Sequence, residues 1–204
     1  MKIHICNDNK VFPFLYVDDW YTPEEEKLIW KELDFYTNPI TMRRAEDTTG
    51  GERSIPGKNK DGTSKNKAWR IDLDKTHTRR EVSHILRLQP QKMISSEMQK
   101  AIEECGPNFR LHRMTNYDET VINYSETGDY YEQHNDSFMI STCTWLHRTP
   151  KAYTGGDITF TDIDVTLECN HNRMIMFPSY YYHEVYPITM KDKNLEMGWG
   201  RYSI

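Results

Sequence analysis

The chain has 204 residues, a length that suits a single domain with a substantial core. Apolar residues make up 37% of it and the mean hydropathy is −0.83, yet 13 tyrosines and 5 tryptophans supply aromatic surface that argues against disorder along the whole chain. The net charge of −5 gives no general attraction to nucleic acid or to an anionic membrane, so binding either would need a local basic patch.

The cysteines and the N-terminus indicate the cellular compartment of the protein. The four cysteines are widely separated and show no C-x-x-C spacing: Cys6, Cys105, Cys143 and Cys169. This pattern favours a reduced intracellular protein over a disulfide scaffold or a structural zinc site. Residues 1–8 lack the apolar run of a signal peptide, and no later segment is long enough to span a bilayer. We therefore expect a soluble, cytoplasmic protein.

The first predicted elements are a strand and a helix. Val11–Val17 is rich in aromatic and β-branched residues, which predicts a strand, and Pro13 within it indicates an edge position. Thr22 followed by Pro23 and three glutamates predicts the start of a helix. Apolar residues then recur at helical spacing, so this helix should pack on a sheet and end near Asn38.

Residues 42–67 form a polar stretch rich in Gly, Ser, Thr, Asn and charged residues, with more basic than acidic side chains. A stretch of this length without regular structure is usually a functional lid or a disordered insertion. Two interpretations stay open, a solvated mobile loop and a basic flap that closes over an extended or acidic substrate.

Ala68–Leu73 alternates like a strand, and helical patterns follow. Two consecutive helices, or one broken helix, are predicted over Arg79–Arg87 and Gln91–Cys105, with the break at Pro90 and the end at Gly106.

Beyond residue 108 the chain consists of short β-rich runs separated by turn residues. The predicted strands are Phe109–Met114, Val121–Tyr124, Tyr130–His134, Phe138–Leu146, Asp157–Phe160, Val165–Glu168, Arg173–Phe177, His183–Ile188 and Trp199–Ile204. Many short, evenly spaced strands predict a sandwich, barrel or jelly roll. We therefore expect one α+β domain over 1–204, with helical support and a flexible lid (about 42–67) in 1–108 and a β-barrel core in 109–204.

One candidate metal site stands out. If Tyr130–His134 continues as a strand, His134 and Asp136 point the same way, because residues two apart share a face. His183, at the start of a later strand-like run, would complete a set of two histidines and one carboxylate. This set is typical of non-haem Fe(II) oxygenases. Zinc accepts the same ligands, so a metal-binding module without catalysis stays an alternative.

Arg201 and Ser203 are two apart on the last predicted strand. An arginine presents a rigid fork to a carboxylate, and a hydroxyl on the same face can add a hydrogen bond. The pair suits the far end of a pocket for a dicarboxylic cosubstrate.

The ordered set of motifs resembles the prolyl 4-hydroxylase branch of the Fe(II)/2-oxoglutarate-dependent dioxygenases. The similarity runs from about Asn123 to the end of the chain and rests on His134-x-Asp136, Tyr153–Phe160, Asn172–Ser179, His183–Val185 and Gly200–Ser203. It implies a double-stranded β-helix, or jelly roll, as the core of the fold.

The resemblance also implies roles for individual residues. His134, Asp136 and His183 would hold Fe(II), Arg201 would bind the distal carboxylate of 2-oxoglutarate, and Tyr124 would line the cosubstrate pocket. It implies O2 as the second cosubstrate and ascorbate as an accompanying reductant. The expected reaction is hydroxylation of an unactivated C–H bond, first of all in a prolyl residue of a peptide or protein, with release of succinate and CO2.

Other substrates stay open at this stage. A small molecule is one, and oxidative demethylation of nucleic acid by the same chemistry is another. The basic residues between Arg43 and Arg70 are the only support for nucleic acid, and the overall acidity opposes it. The sequence does not identify the oligomeric state.

Overall fold

A computed structural model of the chain describes residues 1–48 and 56–204. The part before residue 108 contributes five of the described strands: β1 (Lys2–Cys6), β2 (Phe14–Asp18), β3 (Arg43–Arg44), β4 (Asn66–Lys67) and β5 (Trp69–Asp72). The described α-helices are α1 (Pro23–Tyr36), α2 (Leu73–Thr76), α3 (His84–Met93) and α4 (Ser96–Cys105). Short 3-10 helices cover Ala45–Asp47, Arg80–Val82 and Pro107–Met114.

The later part of the chain is almost entirely β-structure. Its strands are β6 (Val121–Ser125), β7 (Tyr130–His134), β8 (Ile140–Leu146), β9 (Tyr153–Gly155), β10 (Ile158–Phe160), β11 (Val165–Leu167), β12 (Arg173–Pro178), β13 (His183–Val185), β14 (Ile188–Met190) and β15 (Arg201–Ser203). No helix of the described residues is both long and apolar enough to cross a membrane.

The strands form two facing sheets and a short ribbon. The main sheet has the order β1-β2-β12-β8-β15-β6-β5-β3, the second sheet has the order β11-β10-β13-β7-β4, and β14 pairs with β9. All pairings between these strands are antiparallel. Non-consecutive strands are neighbours in both sheets, as in a jelly roll. The predicted α+β fold with a jelly-roll core is confirmed.

Each face of the main sheet packs against a different partner, because side chains alternate along a strand. Val17, Met174 and Tyr202 point to the side that α1, α3 and α4 cover, and there they form the larger apolar core. Trp145 and Ile175 point to the other side, where they pack against the second sheet in a smaller core. The space between the two sheets holds the polar residues described below.

The start of α1 follows the sequence signal. The Thr22 side chain accepts a hydrogen bond from the Glu25 backbone N–H, and the Glu25 carboxylate accepts one from the Thr22 N–H. This capping box satisfies two donors that a helix start leaves unpaired. Ile29 and Leu33 are fully buried against the sheet. The predicted helix is confirmed, although it ends at Tyr36.

Several predictions for residues 1–108 are corrected. The strand at Phe14–Asp18 is not an edge strand, because β1 pairs with one side of it and β12 with the other. Pro13 lies just before the strand, so its missing N–H costs no ladder hydrogen bond. Residue 108 is also not a boundary between helical support and barrel, because β1, β2 and β5 belong to the main sheet.

Three predicted boundaries are also wrong. Phe109–Met114 lies in a 3-10 helix that Pro107 initiates, rather than in a strand. Helix α3 continues through Pro90, and the break falls at Ser95, whose side chain caps α4. The run His183–Ile188 divides into β13 and β14 at Pro187, which has no N–H to donate.

The buried face of α1 generates a stability prediction. Leu33→Ala should lower the free energy of unfolding by roughly 2–5 kcal/mol, because it removes a fully buried side chain from the larger core. Urea denaturation measures the change. The matched control is Phe35→Ala on the same helix, where the side chain is 71% exposed and the expected change is within about 0.5 kcal/mol. Equal losses in the two variants would contradict this packing.

Candidate active site

Two strands of the second sheet bring the predicted histidines together. His134 ends β7 and His183 begins β13, and the two residues lie directly opposite each other in the antiparallel pairing. Both imidazoles are buried, at 7% and 5% exposure. Residues 49 positions apart in the chain therefore become cross-strand neighbours.

Asp136 completes the cluster from a loop. Its Oδ1 lies 3.7 Å from His134 Nε2, and its Oδ2 lies 3.9 Å from His183 Nε2. One ligand atom from each of the three residues lies within 4.8 Å of the other two. The strand stops at His134, so the expected shared strand face is wrong. The backbone N–H of Asp136 instead donates to Ser179 O at 2.9 Å, which holds the loop in place.

The hydrogen bonds around the cluster fit a metal ion. His134 Nδ1 lies 2.8 Å from Glu132 O, and His183 Nδ1 lies 3.0 Å from Tyr181 O. A carbonyl oxygen only accepts, so each Nδ1 carries a proton, and in a neutral ring of this tautomer Nε2 offers the lone pair. The distances from Nε2 to the carboxylate are too long for hydrogen bonds. Two imidazole nitrogens and one carboxylate are a suitable donor set for a divalent metal.

The Asp136 carboxylate is oriented by two serines. Ser141 on β8 donates a short hydrogen bond of 2.5 Å to Asp136 Oδ2, and its hydroxyl also lies 2.8 Å from Ser179 Oγ. A supported carboxylate keeps its orientation, which a metal ligand requires.

Tyr131 covers one face of His134. The two rings stack with centroids 3.5 Å apart and planes 11° apart. The Tyr131 hydroxyl accepts a hydrogen bond from the Gly57 N–H at 3.1 Å. Sequence spacing missed this contact because residues three apart in a regular strand face opposite ways. The pairing of β7 with β13 contains a bulge that turns both rings to one side.

The described part of the 42–67 segment forms the rim beside His134. Strand β4 pairs with β7, and Lys65 Nζ donates to Gln133 O at 2.6 Å. Residues 49–55 of the predicted lid lie outside the described residues, and the motion of the segment stays a prediction.

The environment of His134 favours its neutral form. Burial, followed by the nearby His183, lowers its pKa to about 4, although Asp136 and the Glu132 carbonyl oppose the shift. At neutral pH the ring therefore carries no extra proton that a metal would have to displace.

Arg201 lies between the sheets with only neutral partners. It is 5% exposed, and its NH1 donates a very short hydrogen bond to Gly156 O while its NH2 lies 3.3 Å from Ser125 Oγ. Cys169 Sγ is 3.9 Å from NH1, and Nε has no partner. Within the described residues no carboxylate forms an ion pair with Arg201. A buried cation without a counter-ion is costly, which makes this position receptive to an anion.

The two glycines before β10 make room for this arrangement. Gly156 has φ +86°, and a Cβ there would lie 2.5 Å from Ile188 Cγ2 and 3.3 Å from Arg201 NH1. Gly155 also has a positive φ, and a Cβ there would lie 2.5 Å from Pro187 O. The glycine pair therefore does more than form a hairpin turn, because it lets the arginine and β14 approach the backbone.

Ser203 lies on the same face of β15 as Arg201. Its hydroxyl lies 2.9 Å from Cys143 Sγ on β8, and it makes no hydrogen bond to Arg201. Burial raises the pKa of the Cys143 thiol to about 11, and the charges of both Arg201 and Asp136 act on this thiol. Cys143 thus lies between the predicted metal ligands and the arginine.

The structure contradicts the pocket role expected of Tyr124. This residue pairs with Tyr202 across β6 and β15 and faces the helices, on the opposite side of the sheet from Arg201 and Ser125. Its hydroxyl accepts hydrogen bonds from the N–H groups of Gly198 at 2.7 Å and Gly200 at 3.1 Å. Tyr124 fixes the backbone before β15 and does not line the space between the sheets.

The comparisons with known proteins agree with this geometry. Residues 120–204, which include the cluster and Arg201, match the 2OG-Fe(II) oxygenase superfamily. The chain is similar in fold to a prolyl-4-hydroxylase from Pseudomonas putida, with a TM-score of 0.59 and 14% identity over 97% of this chain and 92% of that one. No curated protein sequence is significantly similar to the chain.

The protonation of His134 predicts how the stability of the metal-free protein depends on pH. In the unfolded chain this ring takes up its proton near pH 6.5, but in the folded protein only near pH 4. Between these values the unfolded state binds more protons, so the free energy of unfolding should fall as the pH falls. Urea denaturation at pH 7 and pH 5 measures this loss. The His134→Gln variant should lose less unfolding free energy than wild type between pH 7 and pH 5. An equal loss would contradict the lowered pKa of His134.

Tyr124→Phe should destabilise the protein and leave any affinity for 2-oxoglutarate unchanged. The substitution leaves two buried backbone N–H groups without an acceptor, which costs about 1–3 kcal/mol. Urea denaturation and anaerobic ligand titration measure the two effects. Tyr186→Phe, at a 45% exposed position, is the control. Weaker binding at unchanged stability would restore the pocket role.

Proposed function

We propose that the protein is an Fe(II)- and 2-oxoglutarate-dependent dioxygenase that hydroxylates an unactivated C–H bond, with a prolyl residue of a peptide or protein as the first candidate substrate. The observation that carries this proposal is the cluster of two buried histidines and one carboxylate, together with a buried arginine that has no counter-ion among the described residues. The superfamily match supports the class of chemistry.

His134, Asp136 and His183 would hold the iron. Three protein ligands leave other coordination positions for a 2-oxo acid and O2. Iron bound there would supply the oxidising power that inserts one oxygen atom into a C–H bond while 2-oxoglutarate is converted to succinate and CO2. The protein itself holds the ligands, binds the cosubstrate and positions the target carbon.

Arg201 would bind the distal carboxylate of 2-oxoglutarate, and Ser203 would line the same pocket. The residues of strand β8 give an estimate of the length of this pocket. Ser141 bonds to Asp136 and Cys143 bonds to Ser203, and these two β8 residues lie roughly 7 Å apart because a strand rises about 3.4 Å per residue. A five-carbon dicarboxylic acid is long enough to bridge such a gap.

Aromatic rings shield the metal side of the pocket from water. Tyr131 stacks on His134, and the Phe177 and Phe160 rings lie edge-on to His183, with centroids at 4.9 and 6.4 Å. These contacts keep both imidazoles oriented and leave little polar surface beside them. Excluding water strengthens electrostatic interactions and limits side reactions.

Exposed apolar side chains next to the metal ligands support a peptide substrate. Phe138 and Met139 follow Asp136 and are 48% and 42% exposed, while Tyr180 and Tyr182 precede His183 and are 51% and 47% exposed. Aromatic surfaces of this kind suit extended, proline-containing chains. The fold similarity to a prolyl-4-hydroxylase agrees with this choice. A cytoplasmic location and a requirement for ascorbate are part of the proposal.

Release of succinate from 2-oxoglutarate in the presence of Fe(II) and O2 tests the site. His134→Ala should lower succinate release by a larger factor than the roughly 10–100-fold that is lost when a residue supporting a metal ligand is removed. Arg201→Ala should raise the Kd for 2-oxoglutarate by about two orders of magnitude, because the carboxylate loses its buried cation. His84→Ala, on α3 and outside the cluster, should behave as wild type.

Equal succinate release by wild type and His134→Ala would refute the site. The substrate is tested separately, by mass spectrometry of proline-containing peptides incubated with the enzyme. The expected product has gained one oxygen atom on proline, and the same peptides with alanine in place of proline should stay unmodified. Modification of both peptide sets would reject the prolyl assignment without affecting the metal site.

A further inference from the structure

Residues 57–67 form a hairpin at the edge of the second sheet, which we call the lysine hairpin. Lys58 and Ser64 form an antiparallel bridge, and the Thr63 carbonyl accepts a hydrogen bond from the Asn59 N–H at 2.9 Å. The hairpin ends in β4, which pairs with β7. It is therefore a folded extension of the sheet that carries the two histidines.

The lysine hairpin borders the metal ligands. A Cβ on Gly57 would lie 3.9 Å from the Cβ of His134. At the other end of the hairpin, Lys65 Nζ donates to the carbonyl oxygen of Gln133, the residue before His134, at 2.6 Å. The hairpin is thus beside the position that a peptide must occupy to bring a target carbon to the cluster.

The lysine hairpin is basic, whereas the chain as a whole is acidic. It contains four lysines and one aspartate and so has a net charge of +3, in a chain with a net charge of −5. Asp61 accepts hydrogen bonds from the Thr63 N–H and hydroxyl. Three of the lysines are exposed and form no ion pair with a described residue: Lys58, Lys60 and Lys67. Like charges concentrated beside a site raise the local concentration of ligands of the opposite sign.

We propose that the lysine hairpin binds acidic side chains of the peptide substrate, so that the protein selects target residues that lie close to Asp or Glu in sequence. The inference rests on the proposed function and names the class of peptide. Exposed charges of one sign attract a complementary segment and repel a basic one, which gives specificity as well as affinity.

An acidic peptide fits the lysine hairpin better than a nucleic acid does. Proteins that bind single strands combine positive charge with aromatic side chains on which the bases stack, and residues 57–67 contain no aromatic residue. The net charge of −5 also opposes contact with a long phosphate backbone outside the hairpin.

Peptide binding without turnover tests the inference. Anaerobic protein loaded with Fe(II) and 2-oxoglutarate is titrated into two fluorescent peptides, identical except that glutamates flank the proline in one and glutamines in the other. Wild type should bind the glutamate peptide roughly tenfold more tightly at low salt, as expected for two or three exposed charge pairs. The preference should disappear in about 1 M salt, where charges more than about 3 Å apart are screened.

Two pairs of lysines give a matched comparison. The double variant Lys58→Gln, Lys60→Gln should lose most of the preference for the glutamate peptide and bind the glutamine peptide as wild type does. The double variant Lys27→Gln, Lys31→Gln makes the same change in net charge at exposed positions of α1 and should keep the preference.

Charge reversal distinguishes recognition from a structural role. The double variant Lys58→Glu, Lys60→Glu should prefer a peptide in which lysines flank the proline, which a merely destabilised hairpin would not do. Lysines on an edge strand can also serve only to prevent pairing with another chain. In that case the glutamine variant would self-associate in light scattering yet keep the wild-type preference, and the inference would fail.

The remaining outcomes separate this inference from the proposed function. If wild type binds the glutamate and glutamine peptides equally, the inference fails, while succinate release and proline oxidation still support the proposed function. If a single-stranded oligonucleotide binds more tightly than the glutamate peptide and does so through Lys58 and Lys60, the hairpin recognises nucleic acid and the inference fails. If no proline-containing peptide binds although 2-oxoglutarate does, the prolyl assignment fails together with the inference.

Discussion

The pairing of β7 with β13 is the constraint on which the site depends. It places His134 opposite His183, and a shift of one residue would turn one imidazole to the other face of the sheet. The register is secured on both sides, because β10 pairs with β13 and β4 pairs with β7. The metal cluster is thus held by a ladder of backbone hydrogen bonds, and only Asp136 depends on a loop.

The main sheet supplies the polar side chains that surround the metal ligands of the second sheet. Its inner face carries the polar side chains that orient Asp136 and surround Arg201, while its outer face is apolar and covered by helices. Because side chains alternate along each strand, one set of strands can build a core on one side and a polar pocket on the other. Tyr124 and Ser125 are adjacent in sequence, yet Tyr124 faces the helices and Ser125 faces the polar pocket.

Local patterns predicted much of this fold, and contacts between distant residues account for the rest. The Thr22 cap, the short strands after residue 120 and the order of His134, Asp136, His183 and Arg201 are all visible in the sequence. Alternation alone could not reveal the bulge that stacks Tyr131 on His134, or the central place of β2, which depends on a partner strand about 160 residues away. The unpaired Nε of Arg201 also had no signal in the sequence, because burial and missing partners are properties of the folded chain.

The position of β2 and β5 in the main sheet has a consequence for how the protein can be divided. The superfamily match begins at residue 120, yet β12 pairs with β2 and β6 pairs with β5. Residues 120–204 alone would present three newly unpaired strand edges, on β12, β6 and β7, and an apolar face without its helices. Sheets in this condition add further strands and aggregate. The matched segment is therefore smaller than the sheet that completes it, and a fragment of this protein should keep the whole main sheet.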